Sequence, residues 1–264
     1  GGRCAHAQRY ERKVWRSAEG TPCPIGVLCR TAERFPFPWS GADSARGDSG
    51  GGGASGLVSA ATVGSGCGMI IKSAEIEAST PTLTGAPKGA LPEFAFIGRS
   101  NVGKSSLINL LAQRRELALV SATPGKTRLL NFFRINNDWR LVDLPGYGYA
   151  KGAKGERADF NVAVADYLER GANVTCVFVL VDGSIPPQRL DLEFLRWLDG
   201  CDVPFVVVFT KADKVGRGRY KQVAEQFGRE LAAAGVAMPE HFFVSSTKRE
   251  GREELLKFIE AQLG

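Results

Sequence analysis

Short apolar blocks and amphipathic stretches alternate along the chain from residue 69 to the C-terminus. Nearly continuous apolar runs at residues 94–97, 174–181 and 203–209 are typical of strands buried on both faces. Between such runs, apolar residues recur at helical spacing, for example at Leu107 and Leu111. The pattern predicts strands at residues 70–77, 93–97, 129–136, 139–143, 174–182, 203–209 and 241–244, and helices at residues 103–113, 156–170, 187–199, 219–234 and 250–263.

The alternation of strands and helices predicts an α/β fold, with a mostly parallel sheet covered by helices on both faces. Asn136, Asn137 and Asp138 separate two apolar runs and are typical of a hairpin turn, so we expect one strand to be antiparallel. No apolar run approaches the roughly 20 residues of a membrane-spanning helix, which argues against a transmembrane protein. We expect one domain at residues 69–264, without internal repeats or an appended RNA-binding domain.

Residues 1–68 differ in composition from the rest of the chain. They hold 14 of the 32 glycines and 4 of the 6 cysteines, and they show no sustained hydrophobic period. Such a stretch buries too little apolar surface to offset its chain entropy, so we expect it to be disordered or absent from the working protein. Met69 is the first methionine, which favours translation from that residue; an organellar transit peptide and a flexible arm are the alternatives.

The charge balance argues against a protein that binds nucleic acid through bulk charge alone. The formal net charge is +6, from 34 basic and 28 acidic residues, and the excess is divided equally between residues 1–68 and the remainder. The cysteines have no Cys-x-x-Cys spacing, and with only 2 histidines we expect neither a histidine-based triad nor a zinc centre. This usage fits a reducing cytosol, with Cys176 and Cys201 as small buried hydrophobes.

Residues 98–105 carry the phosphate-binding pattern Gly-x-x-x-x-Gly-Lys-Ser between a predicted strand and a predicted helix. Glycines allow the backbone to wrap around phosphates, and amides at the helix N-terminus point toward the negative charge. We expect Lys104 to reach the β- and γ-phosphates and the Ser105 hydroxyl to hold Mg²⁺. The loop predicts a nucleoside triphosphate site but selects neither the base nor the reaction.

Two further motifs at strand ends predict that the nucleotide is GTP. Asp143 begins an Asp-x-x-Gly motif, in which the aspartate can bind Mg²⁺ through water and the Gly146 amide can sense the γ-phosphate. The Thr-Lys-Ala-Asp motif at residues 210–213 ends in Asp213, whose carboxylate can accept hydrogen bonds from guanine N1–H and the 2-amino group. Adenine lacks that donor pair, so Asp213 selects guanine, while the Lys211 stem would lie over the base.

Two loops complete the expected site. Residues 121–127 include Thr127, which can offer a hydroxyl to Mg²⁺ only when this loop closes. The Pro-Gly pair in this loop also marks an ordinary turn, so both interpretations stay open on the pattern alone. Residues 241–247 form the last predicted strand and its loop, and they are placed to complete the base pocket through backbone amides and a serine hydroxyl.

Taken together, three segments closely resemble the EngB (YihA/YsxC) GTP-binding proteins. They are the loop at residues 98–106, Thr-Pro-Gly-Lys-Thr at residues 123–127, and Asp-Leu-Pro-Gly-Tyr-Gly-Tyr-Ala at residues 143–150, which is the most specific. The resemblance runs from about residue 69 to residue 264 and leaves residues 1–68 unmatched. It implies a single Ras-like, Mg²⁺-dependent GTPase domain of the class that also contains TrmE, Era, EngA and the septins.

The resemblance also implies a partner and a set of contacts. The partner is the large ribosomal subunit or its precursor during late assembly, and the family is needed for normal cell division and septation. We expect a monomer that binds GTP and GDP, with Lys104, Thr127 and Asn101 as catalytic residues and Ser105 and Thr127 on Mg²⁺. The implied nucleotide contacts are Gly98, Arg99, Ser100, Asn101, Val102, Gly103, Lys104, Ser105, Gly125, Lys126, Thr127, Arg128, Leu129, Asp143, Leu144, Pro145, Gly146, Thr210, Lys211, Ala212, Asp213, Val244, Ser245 and Ser246.

Two positions bear on the rate of hydrolysis. Many GTPases place a glutamine directly after Asp-x-x-Gly to orient the attacking water, and here that position is Tyr147. A phenol is a poor substitute, so we expect slow hydrolysis by the isolated domain. In related GTPases an asparagine at the position of Asn101 helps to bind K⁺ beside the phosphates, which predicts stimulation by K⁺; the alternative is that Asn101 only shapes the loop.

Three classes of function are compatible with the phosphate loop. The leading hypothesis is a GTPase switch that docks on the pre-ribosomal large subunit, and the second is a GTP-gated binding module with negligible unaided hydrolysis. A small-molecule kinase is third, and the motifs that begin at Asp143 and Thr210 argue against it. The candidate RNA-facing patches are residues 211–221 and the group Lys151, Lys154 and Arg157, although such charges are often simply solvated.

Overall fold

The computed structural model describes residues 68–114, 117–118, 129–147, 154–201 and 203–264, with the backbone alone described at residues 154–161. The expected N-terminal extension lies, apart from Gly68, outside the described residues and stays a prediction.

A seven-stranded sheet forms the centre of the described domain. Its strands are β1 (Ala74–Thr80), β2 (Glu93–Gly98), β3 (Leu130–Ile135), β4 (Trp139–Asp143), β5 (Val174–Asp182), β6 (Phe205–Thr210) and β7 (His241–Phe243). Their order across the sheet is β1-β3-β4-β2-β5-β6-β7. β3 is antiparallel to both β1 and β4, and all other neighbours are parallel. The predicted fold class, with one antiparallel strand, is confirmed.

Six α-helices connect the strands in the described residues. They are α1 (Lys104–Ala112), α2 (Lys154–Arg170), α3 (Arg189–Asp199), α4 (Ala212–Val215), α5 (Tyr220–Ala233) and α6 (Arg252–Leu263). Two 3-10 turns, Leu83–Gly85 and Arg217–Arg219, flank this framework. The sequence pattern did not predict α4, because a single turn is too short for helical periodicity to be visible.

β1 lies about four residues later than predicted, and the hairpin asparagine explains the difference. The Asn136 side-chain oxygen accepts hydrogen bonds from the amides of Lys72 and Ser73, at 2.7 and 3.1 Å. Its amide nitrogen donates to the Ile70 carbonyl at 2.8 Å. The backbone before Ala74 is therefore satisfied by a side chain rather than by a neighbouring strand.

Helices cover both faces of the sheet, as side chains of β5 and β6 illustrate. Cys176 and Phe178 lie in the core on the side of α1 and α6, where Phe178 packs edge-on against Phe258 at 5.8 Å. On the other face, Phe227 of α5 packs edge-on against Phe209 at 5.3 Å. Burial raises the pKa of Cys176 to about 12, which agrees with its predicted role as an inert core residue.

The last helix closes the end of α1. Arg252 donates from Nε to the Leu110 carbonyl at 3.0 Å and from Nη2 to the Leu111 carbonyl at 2.9 Å. The last carbonyls of a helix have no partner within the helix itself. The guanidinium of Arg252 therefore adds donors at the C-terminal end of α1, where the Gln113 amide also bonds the Leu110 carbonyl.

A buried ionic network joins β1, β2, β4 and α2 far from the phosphate loop. Arg140 is 2% exposed and donates to Glu77 at 2.9 Å and to Glu93 at 3.3 Å. The Tyr167 hydroxyl donates to the second oxygen of Glu93 at 2.9 Å. Burial raises the pKa of Glu93, while the bonds from Tyr167 and Arg140 act in the opposite direction.

Replacing Tyr167 with phenylalanine should lower the free energy of unfolding by about 1–2 kcal/mol, because a buried carboxylate loses a donor. A hydroxyl binds an ionised carboxylate more strongly than a protonated one, so the loss should grow as pH rises through the raised pKa of Glu93. Urea denaturation at several pH values measures this loss of stability, and Tyr220→Phe, at a partly exposed tyrosine, is the control. A loss that is independent of pH would contradict the assignment.

Candidate functional site

The site residues lie at the carboxyl ends of neighbouring parallel strands. β2 ends at Gly98, β4 at Asp143 and β6 at Thr210. Because these strands run in the same direction, the loops that follow them meet at one edge of the sheet. The topology therefore brings together the three motifs that sequence analysis had singled out.

The phosphate loop leads from β2 into α1 through two residues with left-handed backbone. Asn101 has φ of 65° and Gly103 has φ of 103°, a conformation that favours asparagine and glycine. The Leu107 amide then donates to the Gly103 carbonyl at 2.9 Å as the helix begins. The first amides of α1 have no partner within the helix, and they form the anion-binding end of the loop.

Lys104 and Asp143 form an ion pair across the site. The Lys104 ammonium contacts Oδ1 of Asp143, and both side chains are largely buried. Asp143 is the last residue of β4 and Lys104 the first of α1. The lysine of the phosphate loop and the aspartate of Asp-x-x-Gly are thus in direct contact, so the structure brings these two predicted motifs together.

The segment that follows β6 is tied to the phosphate loop by a threonine. The Thr210 hydroxyl lies 2.6 Å from the Val102 carbonyl oxygen and 3.1 Å from that of Val181. Thr210 is only 5% exposed. The base-recognition segment and the phosphate loop therefore have a fixed relative position.

Asp213 and Ser245 come together although they are distant in sequence. The Ser245 hydroxyl donates to Oδ1 of Asp213 at 2.6 Å. This bond lowers the pKa of Asp213, so the group is ionised at neutral pH and can accept two hydrogen bonds. The two predicted halves of a guanine pocket are adjacent, with Ser245 buried and Asp213 partly open.

Replacing Ser245 with alanine should weaken GDP binding about fivefold, because Asp213 loses the donor that holds its carboxylate in place. The pKa of Asp213 should rise toward its usual value, so the affinity should fall sooner as pH is lowered. Fluorescence titration with a labelled GDP measures both effects. Ser79→Ala removes an exposed hydroxyl bound to Asn131 and is the matched control; equal affinities in the two variants would contradict the role of Ser245.

Asp182 is a site residue that sequence analysis missed. It ends β5, and its carboxylate accepts a hydrogen bond from the Lys211 ammonium at 2.5 Å and one from the Ser184 hydroxyl at 2.6 Å. Burial alone would raise the pKa of Asp182, but these donors hold it below its usual range. Asp182 therefore orients the Lys211 side chain. Its position at the end of a buried strand, like that of Asp143, was the sequence feature that could have predicted a place in the site.

The Tyr147 side chain is buried against α3. Its ring stacks on Phe194 with centroids 4.4 Å apart, and its hydroxyl donates to Oδ1 of Asp191 at 2.9 Å. Burial and the nearby Asp191 carboxylate raise the pKa of Tyr147 well above its usual value, so the phenol stays protonated. Asp191 was not anticipated from the sequence.

Comparisons with known proteins agree with this geometry. A family model described as 50S ribosome-binding GTPase matches residues 93–211, which include the phosphate loop, Asp143 and Lys211. The GTP-binding protein EngB of Bacteroides fragilis is 49% identical over 194 residues, covering 73% of this chain and 96% of the relative. The chain belongs to the EngB family of GTP-binding proteins. It is a GTPase.

Other EngB relatives align over the same part of the chain. EngB of Bacteroides thetaiotaomicron is 48% identical over 192 residues, covering 73% of this chain and 95% of the relative. A crystal structure of an EngB protein matches with a TM-score of 0.53 and 24% identity, over 65% of this chain and 98% of that one. A crystal structure of Era from Aquifex aeolicus matches with a TM-score of 0.53 and 24% identity, over 67% of this chain and 58% of the Era chain. At such identities the structural matches support the fold alone.

Several residues that the sequence or the EngB resemblance predicted to be functional lie outside the described part of the chain. They are Gly125, Lys126, Thr127 and Arg128 of the closing loop, and the patch residue Lys151; Leu129 is described and is 37% exposed just before β3. The side chains of Lys154 and Arg157 are likewise outside it. Among the described helices, none combines the length and apolar character needed to cross a membrane.

Proposed function

We propose that this EngB-family GTPase is a switch in the assembly of the large ribosomal subunit, acting as a monomer in the cytoplasm and supporting cell division and septation through that role. The observation that carries the proposal is the matched family description, 50S ribosome-binding GTPase, over the stretch that contains the nucleotide motifs. The GTP form would dock on the subunit, and hydrolysis would release it.

An exposed basic rim beside the guanine pocket supports an RNA partner. Its cations are Lys214, Arg217, Arg219, Lys248 and Arg249. They come from two segments that a 3.4 Å ion pair between Arg217 and Glu250 and a parallel stack of Tyr220 on Phe243 at 4.1 Å hold together. A cluster of cations from separate segments on one surface suits phosphate contacts along a folded RNA.

Slow hydrolysis is part of the same proposal. The phenol that occupies the glutamine position is bonded to Asp191 and stacked on Phe194, so it is not free to orient a water molecule. The same observation favours the second candidate, a GTP-gated ribosome-binding module with negligible hydrolysis of its own. Multiple-turnover GTP hydrolysis with and without large subunits separates the two.

The residues around the phosphate loop fit Mg²⁺. The hydroxyl of Ser105 and the carboxylate of Asp143 are the hard oxygen donors that Mg²⁺ prefers, and Thr127, which lies outside the described residues, is the further ligand that the sequence predicts. Mg²⁺ held there would neutralise charge on the β- and γ-phosphates. We also propose K⁺ stimulation through Asn101, whose left-handed backbone serves the loop shape as well. Equal GTPase rates in KCl and NaCl would overturn the K⁺ proposal.

Co-sedimentation of the full chain with isolated large subunits tests the proposed partner. We expect binding with a nonhydrolysable GTP analogue and much weaker binding with GDP. Arg219→Glu and Lys248→Glu should each reduce binding, whereas Lys257→Glu makes the same charge change on exposed α6 and should not. Equal binding to the subunit with the GTP analogue and with GDP would overturn the proposal, as would an equal loss of binding in all three variants.

A further inference from the structure

One carboxylate oxygen joins the phosphate loop to the segment after Asp-x-x-Gly. Oδ1 of Asp191, in the first turn of α3, accepts a hydrogen bond from Arg99 Nε at 2.9 Å and from the Tyr147 hydroxyl at 2.9 Å. Arg99 is the second residue of the phosphate loop, and Tyr147 directly follows Gly146. Two parts of the nucleotide site thus share one acceptor that has not been assigned a role.

The burial of Asp191 makes this contact energetically important. Its side chain is fully buried, and its second oxygen has no hydrogen-bond partner in the described part of the chain. A buried carboxylate is costly unless charge and hydrogen bonds compensate it. Arg99 supplies the charge and Tyr147 the second bond, so moving either one leaves Asp191 poorly satisfied.

Gly146 lies directly against the phosphate loop. A Cβ atom built on Gly146 would lie 2.6 Å from the Gly98 carbonyl oxygen and 3.4 Å from the Ser100 nitrogen. This face of Gly146 is therefore packed on the loop backbone. A γ-phosphate that drew the Gly146 amide away from this contact would also pull on Tyr147, the next residue, which Asp191 and Phe194 hold in place.

We propose that Asp191 is a positioning residue for the nucleotide site. By binding Arg99 and Tyr147 together it holds Gly146 against the loop and favours GDP over GTP. The Tyr147 hydroxyl is the link to Asp191 in this arrangement, so its loss alone weakens the hold on Gly146, although the ring still stacks on Phe194. The proposal rests on nucleotide binding at this site and not on the ribosomal partner, so binding to large subunits is a separate readout.

The chain contains a matched control for the Tyr147 bond. Tyr167 is also buried and also donates at 2.9 Å to a buried carboxylate that an arginine pairs, in this case Glu93 with Arg140. That network lies away from the phosphate loop. Tyr147→Phe and Tyr167→Phe remove the same hydroxyl from similar surroundings, and we expect similar decreases in Tm.

The test is the ratio of affinities for the GTP analogue GppNHp and for GDP, measured on the full chain with Mg²⁺ present. Tyr147→Phe should shift the ratio toward GppNHp by about tenfold, the lower end of the scale for one hydrogen bond to a charged group. Tyr167→Phe should leave the ratio unchanged. A Tyr147→Phe ratio equal to that of Tyr167→Phe, or shifted toward GDP, would overturn the proposal.

A second variant tests whether Asp191 carries the effect. Asp191→Asn keeps the shape but removes the charge that binds Arg99, and it should shift the ratio in the same direction as Tyr147→Phe. In the double variant the two shifts should not multiply, because both act through one acceptor. Independent, multiplicative shifts would show that Tyr147 acts without Asp191 and would overturn its assignment.

Discussion

Replacing Asp213 with asparagine is expected to weaken GDP and GTP binding by more than about a hundredfold. The carboxylate is ionised and held by Ser245, and guanine presents two donors to it. An asparagine amide offers one acceptor and one donor, so its NH₂ group would face the guanine 2-amino group without a partner. The variant therefore binds guanine poorly, because the guanine 2-amino group no longer has an acceptor.

The same substitution should improve the binding of xanthine nucleotides. Xanthine replaces the 2-amino group with a carbonyl oxygen, which the asparagine NH₂ of Asp213→Asn can reach as a donor. Isothermal titration with GDP and XDP measures both affinities. Lys214→Gln, on the same short helix, is the control and should retain guanine preference. Guanine preference that survives in Asp213→Asn would show that the base is recognised elsewhere.

Replacing Lys104 with alanine is expected to abolish measurable GTP binding, a loss of at least about a hundredfold. The ammonium would otherwise make charge-assisted bonds to the β- and γ-phosphates, and the other cation of the loop, Arg99, is paired with Asp191. The variant also leaves the buried Asp143 carboxylate without its cation, which should destabilise the fold.

A double variant separates the two effects of losing Lys104. Lys104→Ala with Asp143→Asn removes both charges of the buried pair, so the free energy of unfolding should recover much of its loss. Nucleotide binding should not recover. Urea denaturation and GTP titration of the single and double variants give the comparison, and recovered GTP binding in the double variant would contradict the role of Lys104.

Much of this site could be predicted from sequence, because phosphate and guanine chemistry demand particular residue types in a particular order. Residues 98–105 must supply glycines and a lysine, and a carboxylate must face the base. In the structure Lys104 contacts Asp143, and Asp213 accepts a hydrogen bond from Ser245, so residues of separate motifs lie together. The fold class followed from the alternation of buried strands and amphipathic helices.

Asp191 could not be predicted in the same way. An acidic residue in the first turn of an amphipathic helix is typical of a favourable interaction with the helix dipole and normally faces solvent. Its partners lie 92 and 44 residues away in sequence, so only the tertiary fold brings them together. The position of β1 escaped prediction for a related reason, since the Asn136 contacts that precede it span more than 60 residues.

The contact between Arg252 and the end of α1 has a consequence for the newly synthesised chain. Lys104 opens α1, whose Leu110 and Leu111 carbonyls accept hydrogen bonds from Arg252, and Arg252 belongs to α6, 142 residues after Leu110. Translation proceeds from the N-terminus, so α1 emerges long before its C-terminal partner. The nucleotide site reaches its finished form only after α6 has left the ribosome. A nascent chain stalled before α6 would already carry the phosphate loop, Asp143 and Asp213. It would lack Arg252, which bonds the end of the helix that begins at the phosphate loop.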